Sequence, residues 1–158
     1  MLCAVTVAGG DVAALRKQVE ALRPRGSARI HMKSVSKKET PKLVTEVAKL
    51  DAASRLYVVK SGKMPERSAR DLTLGGAAVR DLATLSVSRV LIESCNQDWE
   101  DNRTIRDALG ADAPFVYHHA SPPSDPLLWL PPDIHAWAWG RGGQMRAKIA
   151  HRIEVFTL

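Results

Sequence analysis

The stretch SRVLIESCNQDWEDNRTIRDALG, Ser88–Gly110, decides the fold. It opens on a short apolar run, VLI, closed by Glu93. Such a run bounded by polar residues reads as a buried strand. A polar loop follows, and DNRTIRDALG then reads as a helix, with Asp101 as its cap and Gly110 as its stop. Strand, loop and capped helix form one α/β unit.

The same order repeats outward. LCAVTVA, residues 2–8, reads as a buried strand. The helix after it starts at Asp11 and ends at Pro24, with Val12, Leu15, Val19 and Leu22 on one face. ARIHMKS is expected as a short strand or extended segment. A second helix follows, capped by Thr40 with Pro41 at its first position. RLYVVKSG is strand-like, and MPERSARDLTLGGAAVRDLATLSV gives a long helix weakened at Gly75–Gly76. APFVYHHAS is a further strand, and SPPSDP a loop. A short helix from Pro132, a GRGG break and a basic helix QMRAKIAHRI close the chain. Strands alternating with helices predict an α/β fold with a mostly parallel sheet flanked by helices.

At 158 residues the chain suits one α/β domain, 1–158. Its 45% hydrophobic and 25% charged residues are ordinary for a globular protein. No apolar run approaches the roughly 20 residues that cross a bilayer, so no membrane role is expected. MLCAVTVAGGD lacks the basic lead-in of a secretory signal, and a cytoplasmic location is the default. Cys3 and Cys95 form no CxxC pair and read as buried free thiols. The net charge of +6 suits a polyanionic partner such as nucleic acid.

In an open α/β sheet, sites gather at the carboxyl ends of strands. Glu93 is delivered to that edge, and the loop after it supplies Asp98 and Asp101. Asp133 falls in the first turn of the helix after Pro132, where the helix dipole favours an acid. A strand-end acid and a helix-start acid suit Mg²⁺ or Mn²⁺, which take one or two carboxylates plus water and phosphate oxygens. Two such ions about 4 Å apart perform in-line phosphodiester hydrolysis. Each acid also has a plainer reading: Glu93 paired with an arginine, Asp133 simply at a helix start. A zinc centre needs three or four convergent ligands, whereas His118 and His119, adjacent on a strand, point to opposite faces. Trp99, Trp129, Trp137 and Trp139 are candidates for a base-stacking platform, with core packing expected for at least two.

RIHMK, then VLIES, then LLWLPPDIHAWAW, in that order, resemble the bacterial domain-of-unknown-function 3800 (DUF3800) family, which is similar to the ribonuclease H-like superfamily. The resemblance covers most of the chain. It implies a ribonuclease H-like fold and a metal-dependent phosphodiesterase. His31 matches the family's histidine, Glu93 its later strand-end acid and Asp133 its final Asp. The family's Asp-Glu-Ser signature on the first strand has no counterpart here, and MLCAVTVA matches the second strand. Either that strand is encoded upstream of Met1, or it is absent; in the second case the resemblance implies one ligand fewer, and an exposed sheet edge that favours a homodimer.

Taken together, the expected function is nuclease chemistry of ribonuclease H-like type, or a degenerate relative. Glu93 and Asp133 would hold Mg²⁺ or Mn²⁺, helped by Asp98 or Asp101. His31 or His119 would act on the water or leaving group, and Arg103, Arg106, Arg141, Arg146 and Lys148 would grip phosphates. The rivals are a non-catalytic basic module that binds nucleic acid or protein, and an unrelated small-molecule enzyme.

Overall fold

The computed structural model describes residues 1–60, 62–110 and 112–158. The chain is α/β. Its strands are β1 (Leu2–Thr6), β2 (Ala53–Val58), β3 (Arg89–Glu93), β4 (Val116–Ala120) and β5 (Ile153–Thr157). Its α-helices are α1 (Val12–Ala21), α2 (Thr40–Val47), α3 (Glu66–Asp71), α4 (Val79–Thr84), α5 (Asp98–Leu109), α6 (Trp137–Arg141) and α7 (Gly143–Ile149).

A single mostly parallel sheet is not what forms. β3 and β4 pair in parallel, in the register Arg89↔Val116 to Glu93↔Ala120. β1, β2 and β5 make a separate small mixed sheet in the order β1-β2-β5. The difference comes from β5. IEVFT is rich in β-branched and aromatic residues, a strand composition that the basic run before it masks. β3 is also half-buried along Val90–Glu93 rather than enclosed. The extended segment expected at His31 is instead a turn, closed by Ser34 N–H donating to the His31 carbonyl at 2.8 Å.

The chain packs as two compact units, and the division falls within β1, β2 and β5. The first comprises Met1–Leu2, Tyr57–Ser121 and Val155–Leu158; the second comprises Cys3–Leu56 and Pro122–Glu154. In the first, α3 runs through a π-helical turn, Leu72–Ala78, into α4. π-helical turns cost hydrogen-bond geometry and are used sparingly. Within it, Gly75 permits the close approach of α5: a Cβ there would lie 2.5 Å from Thr104 Cγ2. Tyr57 stacks on Phe156 with ring centroids 5.3 Å apart, and its hydroxyl donates to Asp81.

In the second unit, α1 buries Leu15 and Val19, and α2 buries Leu43, Val44 and Val47. The Asp-Pro step Asp125–Pro126 starts a one-turn segment, where Asp125 Oδ1 accepts the Leu127 N–H at 3.0 Å. Trp129 is buried, its indole N–H donating to the Pro122 carbonyl at 2.8 Å. That anchor leads into a second π-helical turn, Leu130–Ala136, which carries Asp133 and His135. Among the described residues no helix is long and apolar enough to cross a membrane.

Candidate functional site

His31 lies between Ile30 and Met32, both buried. Those two apolar anchors leave its imidazole facing outward from the second unit. On the π-helical turn, Leu130 and Ile134 are buried, and Asp133 between them faces the other way. The two polar side chains meet: His31 Nδ1 is 2.6 Å from Asp133 Oδ1. Asp133 is 13% exposed and His31 36%, so the carboxylate is the sheltered partner and the ring is the accessible one. With Nδ1 on the carboxylate, Nε2 is the nitrogen left to meet a ligand. A carboxylate behind an imidazole fixes its tautomer and orientation and stabilises the imidazolium when it forms. Arg29 Nη1 stands 3.9 Å from Asp133 Oδ2.

The charge is distributed unevenly. The second unit carries fifteen Lys and Arg against eight Asp and Glu, net +7; the first carries eight against nine, net −1, together the chain's +6. Arg25, Lys33, Lys37, Lys38 and Lys42, all exposed, flank His31 in sequence. An anion approaching the pair meets a favourable field.

The other expected site residues are placed as follows. Glu93 closes β3 opposite Ala120 and belongs to the first unit, whereas Asp133 belongs to the second. Asp98 opens α5 and serves its N-terminus, with Oδ1 accepting the Cys95 N–H at 2.7 Å and Oδ2 accepting the Ser94 hydroxyl. Burial pushes its carboxyl up, but those donors and the nearby His119 outweigh it, and Asp98 sits below the ordinary carboxylate range. His119 Nδ1 is 3.2 Å from Asp98 Oδ1 but off the line of a hydrogen bond; both its ring nitrogens are buried without a hydrogen-bond partner among the described residues.

Asp101 is not the cap of α5, which starts three residues earlier. Its side chain is 0% exposed and accepts from Arg67 Nη1 at 3.0 Å and Arg70 Nε at 2.8 Å. Burial raises its carboxyl, and the two guanidiniums more than reverse that, leaving it lowered. The carboxylate is thus spent on arginines. Cys95, expected buried, is exposed beside Arg70, with Nη2 3.6 Å from Sγ; Cys3 is half-buried.

Of the expected phosphate-gripping residues, Arg103 and Arg106 lie exposed on α5 in the first unit, Arg103 stacking over Trp99 at 5.3 Å. Arg141, Arg146 and Lys148 lie on α6 and α7 in the second unit, with His31 and Asp133. Sequence reasoning missed Arg29, which precedes His31 by two positions and faces the same carboxylate. It also missed the buried pairing of His135 Nδ1 with the Ser54 hydroxyl.

Whether Asp133 suits Mg²⁺ or Mn²⁺ follows from its surroundings. One oxygen takes the His31 ring nitrogen and the other faces a guanidinium, while a hard cation wants several oxygen ligands. No group of three or more His, Cys, Asp or Glu among the described residues is gathered for a metal ion. This donor set does not fit a divalent cation. No family model, curated protein or solved structure matches the chain.

Proposed function

We propose that this chain cleaves phosphodiester bonds of nucleic acid, as a degenerate relative of the ribonuclease H-like proteins, with His31 as proton-transfer group and Asp133 as the residue that positions it. The observation that carries the reading is the 2.6 Å contact between His31 Nδ1 and Asp133 Oδ1, made across 102 residues of sequence and held by buried neighbours on both sides. His31 Nε2 takes the proton of the attacking water or hydroxyl as its oxygen bonds to phosphorus. The bond to the leaving oxygen breaks, and that oxygen is protonated from solvent or by the imidazolium. Positioned acid–base groups contribute about 10²–10⁴-fold in rate. The basic residues around the pair hold the phosphate backbone.

The test is cleavage of labelled single- and double-stranded DNA and RNA by the wild type and by His31→Ala, each with EDTA and with added Mn²⁺. A loss of about 100-fold or more in the variant is expected. An unchanged rate in His31→Ala removes the reading. A second reading, a non-catalytic polyanion-binding module, is favoured by the concentration of +7 in the unit that holds the pair. Salt-sensitive binding with no cleavage by the wild type under any of these conditions selects it.

A further inference from the structure

We infer that the α6–α7 hairpin is a binding site for single-stranded nucleic acid, read through a tryptophan with an arginine held over its ring. This shares with the proposed function only that the ligand is nucleic acid. Gly142, with φ of 71°, joins the two helices, and Gly143, with φ of 51°, opens α7. That conformation strains any residue with a Cβ. The turn brings Arg146 back over α6: its guanidinium carbon lies 4.8 Å from the Trp139 ring centroid, and its Nε donates to the Trp139 carbonyl at 2.9 Å. The hydrogen bond holds the cation over the indole, while Arg146 itself stays exposed.

A guanidinium held over a half-buried aromatic ring offers a planar cation and an indole to which a further π-face can be added. The occupant follows from charge. Between Asp133 and Glu154 the chain holds Arg141, Arg146, Lys148 and Arg152 and no acid. α7 packs on α2, with Lys148 Nζ donating to Thr45 Oγ1 at 2.8 Å, so the hairpin is fixed in place. A polyanion whose ring faces are free satisfies both features. In a duplex the base faces are stacked on one another and are not open to a ring or a guanidinium.

The experiment measures fluorescence anisotropy of a labelled oligo-dT and of a duplex with the same number of phosphates, at two salt concentrations. The protein is His31→Ala, so that cleavage does not intrude. The expected result is binding of the single strand about 10-fold tighter than the duplex. Arg146→Ala and Trp139→Leu should each weaken single-strand binding by about 10-fold and duplex binding by less than about 2-fold, with Trp139→Phe recovering most of the loss. Circular dichroism melts confirm that each variant is folded, and Trp139→Phe carries the test where Trp139→Leu is not. Equal affinity for both ligands, equal losses on both, or no binding at low salt overturns the inference. Wild-type protein that binds in this way but never cleaves sinks the phosphodiesterase and leaves the hairpin standing. Cleavage with binding indifferent to Trp139 and Arg146 does the reverse.

Discussion

His135 should make the protein progressively less stable as pH falls from 6.5 to 4. Its side chain is buried, 1% exposed; Nδ1 meets the Ser54 hydroxyl, and Nε2 has no hydrogen-bond partner among the described residues. Burial first, and then the charge of Arg152, push the imidazole from 6.5 down to about 4. As pH falls through 6.5 the unfolded chain takes up a proton at this position and the folded chain does not. Stability linked to His135 is therefore complete above 6.5, declines through the window and levels off below about 4. At about 1.4 kcal/mol per pH unit the total is about 3 kcal/mol, a large share of a small domain's stability. The assay is urea denaturation at pH 7, 5.5 and 4 on the wild type and on His135→Asn, which keeps a partner for Ser54 but does not titrate. Subtracting the two curves removes every other group. Asp98 and Asp101, both lowered below 3.8, lose their contributions only at still lower pH. A difference between the two proteins that is flat from pH 7 to 4 would refute the reasoning.

Asp101→Asn should cost about 2–4 kcal/mol, because it leaves Arg70 without its carboxylate and Arg67 with Asp71 alone; the figure is reduced from the fully buried case since those side chains are 27% and 30% exposed. A loss under about 1 kcal/mol in denaturant titration contradicts that. Gly75→Ala should lower the melting temperature, as its Cβ would meet Thr104 Cγ2 at 2.5 Å and the Thr104 carbonyl at 3.2 Å, a clash worth about 1–3 kcal/mol that exceeds the gain in helix propensity. An unchanged or raised melting temperature would count against it. Under native conditions near pH 8, iodoacetamide should label Cys95 well before Cys3, whose thiol burial pushes up to about 12. Peptide mass mapping showing the opposite order would contradict the burial of the Cys3 thiol.

The sequence was most legible where local pattern and tertiary environment agree. The apolar run of β3, the Gly110 stop of α5 and the Gly-Gly weakening in the helix before β3 are local signals, and each has its counterpart in the structure. Ile30 and Met32 carry a strand-like alternation around His31, yet the segment turns instead of pairing, because alternation encodes which side is buried and not whether a neighbouring strand exists. β5 was hidden behind the basic helix that it follows. Asp101 sits where a cap is expected, but the residues that claim it lie 31 and 34 positions away, and no local pattern announces them. The candidate site divides in the same way. The resemblance names His31, Glu93 and Asp133, with Glu93 and Asp133 expected to share a cation; the contact that forms is between His31 and Asp133, and Glu93 belongs to the other unit. That Asp133 takes an imidazole and faces Arg29, rather than standing ready for a cation, depends on contacts made across about a hundred residues.

The most direct test of the account is a double-mutant cycle on phosphodiester cleavage, comparing wild type, His31→Ala, Asp133→Asn and the double variant at one pH and one salt concentration. If Asp133 acts through His31, each single change lowers kcat by about 100-fold or more and the double variant is no slower than His31→Ala alone. Losses that multiply, or an Asp133→Asn protein as fast as wild type, would contradict it.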